Sequence, residues 1–204
     1  MTSQARDDEL SLEEIERLMR CRWLAGRAAF WAEIASLCGI TEPAHNPDPG
    51  LQSFQNKSYG PLQTVSALWH LQRCLENLQS LDYPFEGNFA TAARRILAEF
   101  KKQDIVGARD ALEHIEDRVS HVNMEKYASK KHHSPSAEFL TQFSSANGIL
   151  NEVTVLGRTF YVGQAVLLAI GLEPVLFAEA EKLTNRLDDV FANLSWDAGD
   201  DNVG

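Results

Sequence analysis

The chain has 204 residues, 44% hydrophobic and 24% charged, the composition of an ordinary globular domain with a sizeable core. Its 19 Lys and Arg against 29 Asp and Glu leave a formal net charge of -10, so the whole-molecule field repels phosphate backbones and anionic lipid surfaces, and any nucleic-acid function needs a local basic patch. Three cysteines, Cys21, Cys38 and Cys74, sit among apolar neighbours without a CxxC pair or metal-ligand spacing, and read as free thiols in a reducing compartment.

The acidic start MTSQARDDELSLEEIE has no basic region followed by an apolar stretch, and the longest wholly apolar run, Ala165 to Ile170, is too short to span a bilayer. The expectation is a cytoplasmic protein with no membrane partner. In the first segment, residues 8 to 38, Leu12, Ile15, Leu18, Met19, Trp23, Leu24, Phe30, Trp31, Ile34 and Leu37 recur at helical spacing. Ser11 and Glu14 have the form of a capping box and Gly39 ends the helix. Pro43, Pro47, Pro49, Gly50, Gly60 and Pro61 then mark a long loop over 41–61.

Leu62, Val65, Leu68, Trp69, Leu71, Leu75, Leu78 and Leu81 predict a second helix closed by an Asp82-Tyr83-Pro84 turn. A third runs from about Asn88 to Lys102. Asp104 can cap a fourth, whose stripe is Ile105, Ala108, Leu112, Ile115, Val119 and Val122. Four helices with short later connections imply a four-helix-bundle-like core over 1–123.

The remaining 124–204 begins with a polar, basic loop. Strand-like stretches follow at Phe139 to Phe143, Glu152 to Leu156 and Thr159 to Val162, with turns at Asn147-Gly148 and Gly157-Arg158. Helical spacing resumes from Gln164 to Leu194, interrupted at Gly171 and Pro174, before an acidic tail over 197–204 expected to be disordered. The fold class is therefore mainly α, with a small antiparallel meander and a C-terminal helix appended to the bundle and packed on the same domain.

No phosphate-cradling glycine motif, HExxH or GxSxG occurs, and adjacent His132 and His133 read as loop histidines, so neither a cofactor nor a metal is assigned. Trp23, Trp31 and Trp69 lie on apolar stripes and read as core, His70 as a helix-surface or satisfied histidine. Arg158 and Tyr161 are accounted for by turn chemistry and sheet packing.

The fourth helix carries the chemistry. At about 100° per residue, His114 turns away from the apolar stripe, with Asp110 one turn before it. A carboxylate beside an imidazole orients it and raises its pKa, and a guanidinium holds a phosphate through paired hydrogen bonds. RNA cleavage at the 2'-hydroxyl needs such a base, acid and cation. Arg109 and His114 stand about 140° apart on one helix, so two antiparallel copies across a two-fold axis would present them jointly.

Arg109-Asp110-Ala111-Leu112-Glu113-His114 has the Arg-x4-His form, a polar residue following the Arg, and resembles the last core helix of HEPN-domain proteins. The resemblance covers about half the chain, residues 11–120. It implies a dimerising helical bundle and a metal-independent endoribonuclease of toxin-antitoxin, phage-defence or RNA-processing type. Arg109 and His114 would be catalytic and Asp110 supporting. Members silenced by nucleotidylation carry a Tyr two residues after the His; here that position is Glu116, which does not support a nucleotidyltransferase antitoxin. Lys126, Lys130 and Lys131 form a basic strip for RNA, with Tyr127 placed to stack on a base; there is no DNA signature. The alternative is a non-catalytic regulatory or protein-interaction module whose acidic surface docks a protein partner.

Overall fold

A computed structural model describes residues 10–40, 60–83, 87–113, 141–155 and 157–197. It contains five helices, α1 (Leu12–Gly39), α2 (Gly60–Ser80), α3 (Gly87–Gln103), α4 (Ile105–Glu113) and α5 (Gly163–Asp197), and three strands, β1 (Thr141–Ala146), β2 (Ile149–Val155) and β3 (Arg158–Tyr161). Residues 41–59 of the loop expected over 41–61, the continuation of the fourth helix through Ile115, Val119 and Val122, the basic loop, Phe139 and residues 198–204 lie outside the described residues. Gly60 and Pro61, expected in the loop, instead open α2, where a proline in the first turn gives up an amide that has no helical partner. Asp197, expected in the tail, ends α5.

α1 starts at the predicted capping box: the Glu14 amide donates to the Ser11 hydroxyl, and the Glu14 carboxylate accepts from the Ser11 amide at 2.8 Å. The face it buries is made of small residues. Ala25, Ala28, Ala29, Ala32 and Ala35 are fully buried, because α1 is sandwiched between α2 and α5 and only short side chains let helices approach on both sides. At its end a Cβ added to Gly39 would lie 2.6 Å from Val166 Cγ1 of α5 and 3.4 Å from Thr64 Cγ2 of α2. Three helices converge there on a residue with no side chain.

After α2 the chain turns at Asp82, whose φ is 49°; the Tyr83 amide donates back to the Leu78 carbonyl at 3.3 Å. Arg17 of α1 donates to the Leu81 and Asp82 carbonyls. α3 buries Phe89, Ala93, Ile96, Leu97 and Phe100 at helical spacing. Asp104, at φ 51°, separates α3 from α4 and caps the latter, its Oδ1 accepting the Gly107 amide at 3.1 Å.

The sheet order is β1-β2-β3, antiparallel throughout. Asn147 and Gly148 both have positive φ, as a two-residue type I' hairpin requires. The second turn sits one residue earlier than predicted: Gly157 has φ 79° and Arg158 already pairs with Val155 in β3. Pairing shifts between Ser144/Glu152 and Ser145/Leu150, which leaves Asn151 as a bulge and explains why Leu150, Val153 and Val155 all face inward. The bulged Asn151 carbonyl accepts the Val162 amide at 2.9 Å just before α5, and Gly163 passes so close to Asn151 that a Cβ would meet its Oδ1 at 2.6 Å. The Gln103 side chain accepts the Ala165 amide at 3.1 Å.

α5 is continuous for 35 residues across Gly171 and Pro174, where an interruption was expected. Both residues are exposed, so the amide that Pro174 lacks is missing on the solvent side, while Ala165, Val166, Ala169, Leu172, Leu176, Leu183 and Leu187 hold the other side in the core against α1 and α3. By length and composition alone α5 is apolar enough to cross a membrane, with mean hydropathy 1.4 over its apolar window and 33% of that window buried. A run count that stops at the first polar residue misses this. One hydrophobic cluster includes residues of all five helices and of β2 and β3.

Candidate functional site

The structure brings Arg109 and Asp110 together on α4, with Arg109 partly buried against α2 and Asp110 the more exposed of the two. Arg109 Nη1 lies 3.4 Å from Asp110 Oδ1, and Nη2 makes a closer ion pair with Glu113 one turn on. The guanidinium carbon sits 4.0 Å from the centre of the Trp69 ring, a cation held over an aromatic face. Arg109 Nε is buried without a hydrogen-bond partner. His114, Lys126, Tyr127, Lys130 and Lys131 lie outside the described residues.

Around Arg109 is a cluster of rings and cations from α1 and α2. His70 stacks on Trp31 with centroids 4.3 Å apart and meets Trp69 edge-on at 4.6 Å. Arg73 lies over Trp69 at 5.6 Å. Arg27 sits 5.2 Å from the Trp31 centroid and 5.8 Å from that of Trp23. Arg27 makes no ion pair among the described residues, whereas Arg73 bonds Glu76 at 3.1 Å. Half-burial, then the charges of Arg109 and Arg27, hold the His70 pKa below its usual 6.5, while Glu113 acts in the opposite sense. His70 is thus a neutral imidazole near neutral pH.

The sequence reading assigned His70 no role, since its neighbourhood with Arg109 exists only once α2 and α4 pack. Glu113 stands one turn beyond Arg109 in the sequence, a spacing that favours the ion pair it forms. Trp31 and Trp69 are partly buried against the core as expected. Trp23 is not: it is 64% exposed, because the alanine face of α1 fills the interior and turns the larger side chains outward. Arg158, assigned to turn chemistry, reaches Asp104 Oδ2 at 2.6 Å and lies 4.6 Å from the Phe160 centroid.

A second depression, of about 310 Å³, lies between α1, the end of α2 and α5. Among its lining residues Arg17 caps α2, and the Tyr83 hydroxyl donates to Glu179. Burial and the Glu179 carboxylate raise the Tyr83 pKa far above its usual value. Burial also raises the pKa of Cys21, Cys38 and Cys74, all free thiols. Among the described residues no group of three His, Cys, Asp or Glu could hold a metal ion.

Comparison with family models, with curated proteins and with solved structures found no match to the chain.

Proposed function

We propose that the chain is a HEPN-like, dimeric, metal-independent endoribonuclease of the cytoplasm, of toxin-antitoxin, defence or RNA-processing type. The observation that carries the proposal is the Arg109 cluster. A guanidinium over Trp69 at 4.0 Å, with Arg73 near the same ring and Arg27 near Trp31, gathers three cations for phosphates in one aromatic patch, the combination that single-stranded nucleic-acid binding uses. In this scheme Arg109 binds the scissile phosphate and Asp110 orients it. His114 serves as general acid/base. The 2'-hydroxyl loses its proton to a base and attacks phosphorus, the 5'-oxygen leaves with a proton from an acid, and the product ends are a 2',3'-cyclic phosphate and a 5'-hydroxyl. His70, held neutral beside Arg109, supplies a second imidazole for that exchange. Lys126, Tyr127, Lys130 and Lys131 extend the RNA contact.

The test is incubation with RNA in excess EDTA beside His114→Ala, Arg109→Ala and His70→Ala, with the product ends mapped. Cyclic-phosphate ends lost in the His114 and Arg109 variants are the expected result. Intact RNA with folded, dimeric wild-type protein overturns the ribonuclease reading.

A second reading is favoured by the double pairing of Arg109 with Glu113 and Asp110, which neutralises the cation, and by the net charge of -10. It is a non-catalytic interaction or regulatory module that docks a basic protein partner or antitoxin. Binding to such a partner with no RNA turnover would support it.

A further inference from the structure

Leu12, Met19, Trp23, Phe30 and Leu37 of α1 are all exposed, at 74, 49, 64, 42 and 65%. With Gly26, also exposed, they lie within an arc of about 60° on the helix at 100° per residue. They form one apolar seam opposite the alanine face that packs on α2 and α5. Mid-seam, a Cβ added to Gly26 would meet nothing within 4 Å.

The spacing of the seam is a palindrome: 7, 4, 3, 4 and 7 residues separate Leu12, Met19, Trp23, Gly26, Phe30 and Leu37. A palindrome is what an antiparallel pair of identical helices needs, because a two-fold axis matches each position with its mirror image in sequence. In that register Leu12 faces the partner's Leu37 and Met19 faces the partner's Phe30. The largest side chain, Trp23, faces the partner's Gly26, which has no side chain. Aromatic side chains span roughly 150–250 Å², so at the exposures above the five large residues leave about 600 Å² in water per copy. Complete burial of both seams would remove at most about 1,200 Å² through these residues, the size at which specific interfaces begin.

We infer that α1 is a self-association surface on which a second copy of this chain docks antiparallel, with Trp23 seated over the partner's Gly26. A two-fold axis perpendicular to the helix pair keeps the same flank of both copies on one side. The Arg27 and Trp31 flank of each copy, with the Trp69 and Arg109 stack beside it, therefore opens on one face of the dimer. The inference rests on the seam and not on RNA chemistry, so a dimer that cleaves no RNA leaves it standing, whereas a monomer removes both it and the dimeric enzyme proposed above.

Sedimentation equilibrium of the full chain tests it. The wild type is expected to be a dimer at micromolar concentration. Trp23→Glu and Gly26→Gln, both at exposed positions, should each raise the dimer dissociation constant at least about 100-fold, since buried central aromatics dominate such interfaces, while helical circular dichroism is retained. Register is read by mixing Leu12→Cys protein with Leu37→Cys protein under oxidation. A mixed disulfide dimer should form, and neither variant alone should cross-link through the new thiol. A wild-type monomer at tens of micromolar, a dimer indifferent to both seam substitutions, or cross-linking of Leu12→Cys with itself would each overturn the inference.

Discussion

Arg109 sits over Trp69 and is ion-paired with Glu113 one turn on. The stack fixes where the cation is, and the carboxylate decides how much of its charge reaches a ligand. Replacing Glu113 by Gln keeps the shape and removes the competing charge. Glu113→Gln is expected to tighten binding of a single-stranded RNA probe and to steepen the slope of log affinity against log salt by about 0.7, one further phosphate contact. Fluorescence anisotropy over a salt series measures both.

His70 links stability to pH with a definite sign. Its pKa in the fold is below 6.5, so the unfolded chain binds the proton more readily. The stabilisation it contributes is present in full above pH 6.5 and is lost as pH falls through its lower folded value. The thermal midpoint of the wild type should therefore drop more steeply between pH 7 and pH 5 than that of His70→Gln. Parallel curves for the two proteins would show that His70 is solvated instead.

Two glycines of α5 predict opposite outcomes for the same substitution. Gly163→Ala places a methyl 2.6 Å from Asn151 Oδ1 and 3.2 Å from its Cα, and the backbone contact cannot rotate away. A loss of roughly 1–3 kcal/mol is expected. Gly171→Ala meets nothing within 4 Å and should add about 1 kcal/mol through helix propensity. Urea unfolding of the two variants gives the comparison.

Asp104 serves two partners, the Gly107 amide and Arg158. Its cap outweighs its ion pair, because the pair is well exposed and such pairs contribute roughly 0–1 kcal/mol. Asp104→Ala, which also puts Ala at positive φ, should lower stability by about 1–2 kcal/mol. Asp104→Asn retains the acceptor and should cost less than half as much in the same denaturation assay.

The starts of α1 and α4 and the first hairpin turn were legible because their causes are local, whereas the start of α2 at Gly60 and the continuity of α5 were not. Ser11 with Glu14, Asp104 with Gly107 and the positive-φ pair Asn147 and Gly148 each act within four residues. What was illegible depends on what packs opposite. The large apolar side chains of α1 look like its core in sequence, yet a helix pressed between two others buries its alanines and leaves Met19, Trp23 and Phe30 outside. Pro174 reads as a break until the helix around it is seen to be anchored on the far side. At the candidate site, Arg109 and Asp110 are neighbours in sequence and on α4, but Trp69 and His70 join them only through the packing of α2 on α4.

The sandwiching of α1 between α2 and α5 also sets an order on biosynthesis. Roughly 120 residues separate Gly39 from Gly163, so at about 5–20 residues per second α1 waits roughly 6–25 s for its second neighbour to be made. Through that interval one flank of its alanine face is bare in the nascent chain. The close approach of Gly39 to Val166 can form only when α5 has emerged, which makes closure of the core a late, long-range event in a mostly helical protein and slows its folding relative to bundles of sequential neighbours.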